Sequence, residues 1–189
     1  MRIIAGRLRG RDLGKVAEGV RPTTDRVRES LFSVLGPEVG PRVLDLFAGT
    51  GALGLEAYSR GAETVVWVER SRAVAAALAQ RIEKLGLAEE KRLRVVVADA
   101  GRAIRRLAQA GEPAFDLVFF DPPYASEDRD DLLARLFASP LVADGTKVVV
   151  EGSTRHPLPA VEAARLVDER RYGETVLSFW VRAGRDGGV

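Results

Sequence analysis

Short apolar runs alternate with longer amphipathic stretches from residue 42 onward, and this alternation restricts the possible folds more than any other feature of the sequence. Runs such as residues 65–68 and 117–120 are apolar without interruption, as is typical of strands covered on both faces. We predict strands at 43–47, 64–68, 93–98, 115–120 and 147–150, and helices at 52–60, 72–85, around 103–110 and around 132–137. This order predicts an α/β fold in which crossover helices cover both faces of a parallel sheet.

The two ends of the chain depart from that alternation. Residues 164–172 and 174–182 flank Gly173 with no helical stretch between them, so we predict a closing antiparallel hairpin and a mostly parallel sheet of seven strands. Four glycines interrupt the first 20 residues, which suit a small hairpin or arm, and a capped amphipathic helix is expected at about 22–36. We therefore expect a basic arm at 1–20, one domain at 21–183 and a flexible tail at 184–189.

Composition excludes several classes of chemistry. The 189 residues include no cysteine and a single histidine, His156, which we expect on the surface in a loop away from the strand ends. Disulfides, a thiol nucleophile and a histidine-rich metal centre are therefore excluded. No apolar run approaches the roughly 20 residues of a membrane helix. The N-terminus also lacks the apolar segment of a signal peptide. We expect one catalytic domain in the cytoplasm.

Charge is distributed unevenly, although the formal net charge is only +2. Residues 1–28 hold eight basic and three acidic side chains, and such an excess of positive charge is typical of a segment that binds a polyanion. Arg7, Arg9 and Arg11 are the candidate phosphate contacts, and alternation along a strand would place all three on one basic edge. A solvated surface in an arginine-rich protein explains the same charges, so charge alone leaves nucleic-acid binding open.

A glycine-rich segment follows the first predicted core strand. Residues 45–54 contain the pattern G-x-G-x-x-G at Gly49, Gly51 and Gly54. Between a strand and a helix, such glycines let backbone N–H groups approach a ligand at the helix N-terminus. Glu69 ends the next strand 20 positions after Gly49, where a carboxylate can hold ribose hydroxyls. A dinucleotide cofactor satisfies all of these features.

Asp45 favours a different cofactor. A carboxylate at the end of the first strand is an unhelpful neighbour for an anionic pyrophosphate, whereas S-adenosylmethionine carries a cationic ammonium and sulfonium and no phosphate. Asp99, with Ala100 beside it, ends the third strand, where it can accept the adenine amine. Ligands of such sheets lie beyond the carboxyl ends of the strands. We therefore expect one crevice to contain four strand-end acids, Asp45, Glu69, Asp99 and Asp121. The alternative is that the aspartates only cap helices.

The tetrapeptide Asp121-Pro122-Pro123-Tyr124 follows the buried fourth strand and enters the same crevice. Two prolines fix the backbone and remove two N–H donors, which leaves a rigid segment rich in free carbonyls. The Asp121 carboxylate and the Pro122 carbonyl can accept both N–H bonds of an exocyclic base amine, while Tyr124 stacks on the base. This pattern predicts methyl transfer to a nucleic-acid base. An ordinary turn at a strand end is the alternative.

Two stretches carry a resemblance to a known family. Residues 21–32, RPTTDRVRESLF, and 44–57, LDLFAGTGALGLEA, closely resemble the RsmD family of Rossmann-like class I methyltransferases, which modify the N2 amine of guanine in small-subunit ribosomal RNA. The resemblance implies that residues 121–124 hold the target amine and that ribosomal RNA, within the small subunit or its precursor, is the partner. It also implies that S-adenosylmethionine is bound by Asp45, Phe47, Gly49, Gly51, Glu69 and Asp99, with Thr24 and Arg26 covering its methionine end.

The motifs by themselves leave other functions open. An adenine-N6 methyltransferase of DNA or RNA needs the same amine acceptors, although the short chain offers no added domain for reading DNA. Outside methyl transfer, the alternatives are a nucleotide-binding module and a non-catalytic RNA assembly factor, but neither has an evident need for an amine clamp. The residues identify an amine as the nucleophile, and only the family resemblance points to guanine in ribosomal RNA.

Overall fold

The computed structural model of the chain describes residues 1–14, 25–37, 39–123 and 128–183. Within these residues the elements are α1 (Asp25–Leu35), β1 (Arg42–Asp45), α2 (Ala52–Ser59), β2 (Thr64–Glu69), α3 (Arg72–Lys84), β3 (Leu93–Val97), α4 (Ala100–Gln109), β4 (Phe115–Phe120), α5 (Arg129–Ala138), β5 (Val142–Ser153), β6 (Ala164–Tyr172) and β7 (Thr175–Arg182). None of these helices is long and apolar enough to cross a membrane. Thr24, Tyr124 and the expected tail at 184–189 lie outside the described residues.

The seven strands form one sheet in the order β3-β2-β1-β4-β5-β7-β6. The first five strands pair in parallel, whereas β7 runs antiparallel to both β5 and β6. This arrangement confirms the predicted α/β fold with a mostly parallel sheet and a closing antiparallel hairpin. The strand order reverses between β1 and β4, and ligands of such sheets bind at this switch point, beyond the carboxyl ends of the strands.

Side chains of the strands alternate between two cores, one on each face of the sheet. Val43 and Trp67 belong to the core covered by α1, α2 and α3, whereas their neighbours Leu44 and Val66 belong to the core covered by α4 and α5. Because helices cover both faces, consecutive strand positions are apolar. This double coverage is the physical origin of the uninterrupted apolar runs in the sequence.

Strand β5 and helix α5 are both longer than the sequence predicts. Strand β5 covers Val142–Ser153, not 147–150, because its first half passes through an irregular region in which Gly145 has a φ of 87°. There the Thr146 hydroxyl donates to the Phe115 carbonyl at 2.7 Å, and the register between β4 and β5 shifts. Helix α5 starts at Arg129, before the predicted start near 132, since its charged first turn lacks the apolar periodicity on which the prediction depends.

The first 14 residues form a small antiparallel hairpin, as the glycine pattern predicts. Arg2 bridges to Asp12, and the Ile3 N–H donates to the Arg11 carbonyl at 3.1 Å. Ile3 and Leu13 are both buried in the core beside α1, α2 and α3. The hairpin therefore packs as part of the hydrophobic core.

The arginines of the hairpin do not share one strand edge, and the sequence prediction on this point is wrong. Residues 7–10 form the turn of the hairpin, so strand alternation does not apply to them. The Arg7 guanidinium lies 3.8 Å from the centroid of the Tyr58 ring and donates to the Ala62 carbonyl at 3.2 Å. Ala62 lies two positions before the start of β2, so this turn lies at the amino-terminal edge of the sheet, opposite the crevice. Arg9 and Arg11 are exposed.

Candidate functional site

Four carboxylates stand at the carboxyl ends of four neighbouring strands. Asp45 and Glu69 are the last residues of β1 and β2, and Asp99 and Asp121 follow shortly after β3 and β4. The strand order β3-β2-β1-β4 makes these four strands adjacent. The tertiary structure thus brings the four predicted acids to one edge of the sheet, at the switch point between β1 and β4.

The glycine-rich loop joins β1 to α2 and is shaped by close contacts. Gly51 stands at the N-cap of α2 with a φ of 74°, a left-handed conformation that favours glycine. Its carbonyl accepts a hydrogen bond from the indole N–H of Trp67 at 3.3 Å. A Cβ at Gly54 would lie 2.2 Å from the same indole nitrogen, so the third glycine of the pattern permits close packing of α2 on β2. The loop is thereby held with the N-terminus of α2 at the crevice.

Asp45 is buried at the base of this loop, with only 2% of the residue exposed. Its Oδ2 accepts a hydrogen bond from the Gly54 N–H at 3.2 Å. Burial raises the pKa of the Asp45 carboxyl to about 7; the Gly54 hydrogen bond opposes this shift and the charge of Glu69 adds to it. A cation bound near Asp45 would favour its ionised form. The site therefore suits a positively charged ligand.

Glu69 and Asp99 each organise the backbone around the crevice. Glu69 accepts hydrogen bonds from the Gly49 N–H at 3.0 Å and the Ser71 N–H at 2.7 Å, so it orients the glycine loop. Asp99 caps α4 by accepting from the Arg102 N–H at 2.9 Å, and its other oxygen pairs with the Arg102 guanidinium. The capping interpretation thus holds for Asp99, whose half-exposed carboxylate still faces solvent at the strand end.

The donor and acceptor set fits S-adenosylmethionine better than a dinucleotide. Carboxylates at the ends of β1, β2 and β3 complement an ammonium, a sulfonium and sugar hydroxyls. A pyrophosphate would lie against the ionised forms of the same groups. Ala100 is buried at the first position of α4, and Phe47 makes an edge-on contact with Phe120 at a centroid distance of 5.2 Å. Both residues lie beside the crevice, next to strand ends that carry its acids.

The predicted amine acceptors leave the sheet directly after β4. Asp121 is half-buried, Pro122 is buried and Pro123 is exposed. The neighbouring strand end, that of β1, carries Asp45. Arg26 lies exposed in the first turn of α1. Tyr124 and Thr24, the remaining predicted site residues, lie outside the described part of the chain.

Three charged residues have structural roles that the sequence analysis does not identify. Arg81 of α3 donates to the Thr50 carbonyl at 2.8 Å and also to the Leu13 carbonyl, so it ties the glycine loop to the hairpin. Glu56 is fully buried within α2, and Arg129 begins α5 and contacts the loop after β5. For Glu56 the sequence offers one signal, an acid inside a helix of otherwise small or apolar side chains.

Comparison with known proteins adds independent information. A family model described as Conserved hypothetical protein 95 matches residues 1–181. The ribosomal RNA small subunit methyltransferase D of Escherichia coli K12 is 41% identical over 165 residues, which cover 86% of this chain and 80% of the relative. Its counterpart in Haemophilus influenzae is 35% identical, with 92% and 89% covered. The solved structure of a hypothetical protein from Thermus thermophilus superimposes with a TM-score of 0.80 at 34% identity, covering 97% of this chain and 99% of that one.

Proposed function

Because the chain belongs to the family described as Conserved hypothetical protein 95, we propose that it is an S-adenosylmethionine-dependent methyltransferase of small-subunit ribosomal RNA. The target we propose is the exocyclic N2 amine of a guanine, and the second product is S-adenosylhomocysteine. The observation that carries the proposal is the position of the Asp121-Pro122-Pro123 segment at the end of β4, adjacent to the end of β1 with its buried Asp45. This adjacency at the switch point supports a cation-binding role for Asp45 and an amine-accepting role for the segment after β4.

The cofactor supplies an electrophilic methyl group attached to a sulfonium. On the protein side, Asp45 offers the charge that complements the cationic end, and Glu69 stands where sugar hydroxyls are bound in sheets of this type. We propose that Asp99 accepts the adenine amine, with the buried Ala100 beside it. Phe47, Gly49 and Gly51 form the connecting loop, and Thr24 and Arg26 complete the proposed binding set.

The target amine has to be oriented and made a better nucleophile. The lone pair of an exocyclic base amine is delocalised into the ring, so the nitrogen is a weak nucleophile. Accepting its two N–H bonds on the Asp121 carboxylate and the Pro122 carbonyl orients the nitrogen and stabilises the positive charge that develops on it. Tyr124 is proposed to stack on the base plane. The nitrogen–methyl bond would form as the sulfonium–methyl bond breaks, and the proton that the nitrogen then loses would leave along one of the two accepted N–H bonds to solvent. This scheme needs only acceptors and orientation from the chain.

The most specific parts of this proposal are the target base, guanine, and the type of nucleic acid, RNA. The relatives named above are methyltransferases of small-subunit ribosomal RNA, which favours RNA over DNA as the substrate. An adenine-N6 target would use the same acceptors and is the main competing proposal within this chemistry. A non-catalytic RNA-binding role has no use for an amine acceptor beside a cofactor crevice, so we favour turnover.

One experiment identifies both base and substrate. The protein is incubated with methyl-labelled S-adenosylmethionine and, separately, with naked small-subunit ribosomal RNA, assembled small subunits and DNA, and the products are digested to nucleosides. We expect label in N2-methylguanosine from an RNA-containing sample. Label in N6-methyladenine would replace the guanine proposal, and absence of label from every sample would refute methyl transfer.

The amine-acceptor role of Asp121 predicts a separation of binding from turnover. In Asp121→Ala we expect kcat to fall by roughly 100-fold or more, since one preorganised transition-state contact is lost. The dissociation constant for S-adenosylmethionine should change little, because the proposed cofactor contacts come mainly from β1, β2 and β3. The matched variant Asp45→Ala should instead weaken cofactor binding, as measured by calorimetry. Turnover retained in Asp121→Ala would overturn the proposed mechanism.

A further inference from the structure

The guanidinium of Arg81 connects two backbone carbonyls that lie far apart in the sequence. Nη1 donates to the Thr50 carbonyl of the glycine loop at 2.8 Å, and Nε donates to the Leu13 carbonyl of the hairpin. Arg81 is half-buried in the last turn of α3, so it contacts both segments from a third element. A guanidinium holds its N–H donors in one plane and can fix two acceptors in a set geometry, which a lysine ammonium does not.

The Thr50 carbonyl belongs to the peptide bond that turns the glycine loop into α2. The other polar group of this peptide bond, the Gly51 N–H, donates to the Ala48 carbonyl at 2.6 Å. Gly51 has a φ of 74°, and because glycine tolerates either sign of φ at little cost, the peptide bond before it has more than one accessible orientation. The hydrogen bond from Arg81 selects the orientation in which the Thr50 carbonyl points to the guanidinium.

Strand β2 holds the two ends of the glycine loop. The Gly49 N–H donates to Glu69 at 3.0 Å, and the Gly51 carbonyl accepts from the Trp67 indole at 3.3 Å. Both partners belong to β2, which is an interior strand of the sheet. Arg81 thus holds the middle of the loop, between two positions that the sheet fixes.

The hairpin end of this connection is itself anchored. Leu13 is 2% exposed in the core beside α1, α2 and α3, and its N–H donates to the Met1 carbonyl at 2.9 Å. From this end the hairpin runs along α2, where the Arg7 N–H donates to the Ser59 carbonyl at 2.8 Å. The open end of the hairpin therefore lies at the glycine loop, although its turn lies at the opposite edge of the sheet.

A basic residue in the last turn of a helix has an ordinary explanation, because a cation there interacts favourably with the helix dipole. Lys84 occupies the same turn of α3 and is exposed. Arg81 differs from Lys84 because its donors are directed at carbonyls of two other segments. The helix dipole does not account for that pairing.

We propose that Arg81 is a positioning residue for the cofactor, which fixes the middle of the glycine loop in its binding conformation and couples that loop to the hairpin. The inference rests on the proposed function, in which Gly49 and Gly51 approach S-adenosylmethionine. Arg81 acts through the Thr50 carbonyl, which it contacts directly. A loop that is already held in its bound conformation loses less conformational freedom on binding, which raises affinity. Because coupling between two sites is reciprocal, the bound cofactor in turn stabilises the hairpin at Leu13.

The test compares Arg81→Met and Arg81→Lys with the control Arg106→Met. Methionine keeps much of the apolar stem of arginine and removes its donors, whereas lysine restores one donor group. Arg106 is an exposed arginine in the last turn of α4. By calorimetry we expect the dissociation constant for S-adenosylmethionine to rise about tenfold in Arg81→Met, less in Arg81→Lys and not in Arg106→Met. The loss in turnover should appear mainly in KM for the cofactor, with a much smaller change in kcat.

Amide hydrogen exchange supplies a readout that a merely structural role would not move. In the wild type, saturating S-adenosylmethionine should slow exchange of the Leu13 N–H, which donates to the Met1 carbonyl. In Arg81→Met this protection should be lost even at cofactor concentrations that saturate the variant. In Arg106→Met it should persist. Lower affinity in Arg81→Met with Leu13 protection retained would overturn the coupling to the hairpin.

The variant Phe137→Leu controls for general destabilisation. Phe137 is fully buried in the core covered by α4 and α5, on the opposite face of the sheet from α2 and α3. This variant should lose stability and keep its cofactor affinity. If it loses as much affinity as Arg81→Met, general destabilisation explains the data and the positioning role is overturned. If Arg81→Met does not fold, Arg81→Lys carries the same comparison.

The outcomes also separate this inference from the proposed function. Equal cofactor affinity in Arg81→Met and the wild type overturns the positioning role and leaves methyl transfer standing. A wild type that binds the cofactor but methylates no nucleic acid refutes the proposed reaction and leaves the positioning role standing. A wild type that binds no S-adenosylmethionine refutes both.

Discussion

If Asp45 binds the cationic end of the cofactor, as proposed, binding is coupled to its ionisation. Burial raises the pKa of its carboxyl from 3.8 to about 7. Between those values the folded protein holds a proton that the unfolded chain releases, so this residue lowers the stability of the ligand-free protein as the pH rises from about 4 to about 7. A cationic ligand favours the ionised carboxylate and reverses that preference.

We therefore expect the affinity for S-adenosylmethionine to increase with pH up to about 7 and to level off above it. Below that pH, binding must first remove a proton from Asp45, which weakens affinity by up to about tenfold per pH unit. Calorimetric titrations from about pH 5.5 to about pH 8.5 measure the slope. Asp45→Asn should bind weakly and without this slope; a slope that persists in the variant would assign the proton to another group.

Gly54 is a second single residue with a testable role, because its neighbours leave no room for a larger side chain. In Gly54→Ala the new Cβ would lie 2.2 Å from the Trp67 indole nitrogen and 2.9 Å from Val65, so α2 must move away from β2. We expect a loss of roughly 1–3 kcal/mol in the free energy of unfolding. Weaker cofactor binding should accompany it, because Gly51 at the start of α2 moves too.

Gly101→Ala is the matched control, since a Cβ there, within a helix, would lie 3.1 Å from the flexible end of Leu132 and at ordinary contact distance, 3.5 Å, from Asp99 Oδ1. Its unfolding free energy should differ little from that of the wild type. Urea titration measures both variants. Equal losses in the two proteins would contradict the packing explanation.

Among the secondary structure elements, α2 connects the hairpin to the crevice over its own length. Its N-terminus carries the glycine loop, and its buried Glu56 accepts hydrogen bonds from the Ile4 N–H at 2.7 Å and the Ala5 N–H at 3.0 Å. Arg60 completes the set with an ion pair at 2.8 Å. One carboxylate thus satisfies two backbone donors and a guanidinium where the hairpin meets the helix.

Glu56→Ala should leave these donors without their partner. We expect a loss of roughly 2–4 kcal/mol in the free energy of unfolding, because buried polar groups then lack hydrogen bonds. Urea denaturation compares this variant with Glu83→Ala, which removes an exposed glutamate of α3 and should cost no more than about 0.5 kcal/mol. Similar losses for both would show that Glu56 does not anchor the hairpin.

On the scale of the whole molecule, the crevice and the turn of the hairpin lie at opposite edges of the sheet. Arg7 is held at the amino-terminal edge by Tyr58 and Ala62, whereas Asp121 stands at the carboxyl-terminal edge. If the exposed Arg9 and Arg11 contact phosphates, the bound RNA must extend past the crevice across the protein. Such contacts contribute affinity without base specificity.

We expect Arg9→Gln with Arg11→Gln to weaken RNA binding and to flatten its dependence on salt. Two lost phosphate contacts correspond to a decrease of about 1.5 in the slope of log affinity against log salt concentration. Filter binding at several salt concentrations measures it, and cofactor affinity serves as the internal control. Arg7 is left intact, since its ring and carbonyl contacts are structural. An unchanged slope would exclude these two arginines from the RNA interface.

Much of the fold and site is predictable from local sequence, because strand ends and loops are marked by neighbouring residues. Apolar runs locate the strands, and the residue that ends each strand is read directly, so Asp45, Glu69, Asp99 and Asp121 are identifiable from the sequence alone. Parallel strands then bring their carboxyl ends to one edge. The fold class and the chemical character of the site therefore follow from the chain, and the family is recognisable from residues 21–32 and 44–57.

Contacts between distant residues are decided only by the tertiary structure. Glu56 meets Ile4 across 52 positions, and Arg129 meets His156 across 27. No local pattern marks such pairs. From the sequence alone, an acid or an arginine on a helix is predicted to face solvent, and only the tertiary structure shows which distant residue it contacts. The same reason separates Arg7 from Arg9 and Arg11: a turn at residues 7–10, not a continuous strand, sets the directions of Arg7 and Arg9. Local patterns determined which groups enter the crevice, and packing decided what holds them in place.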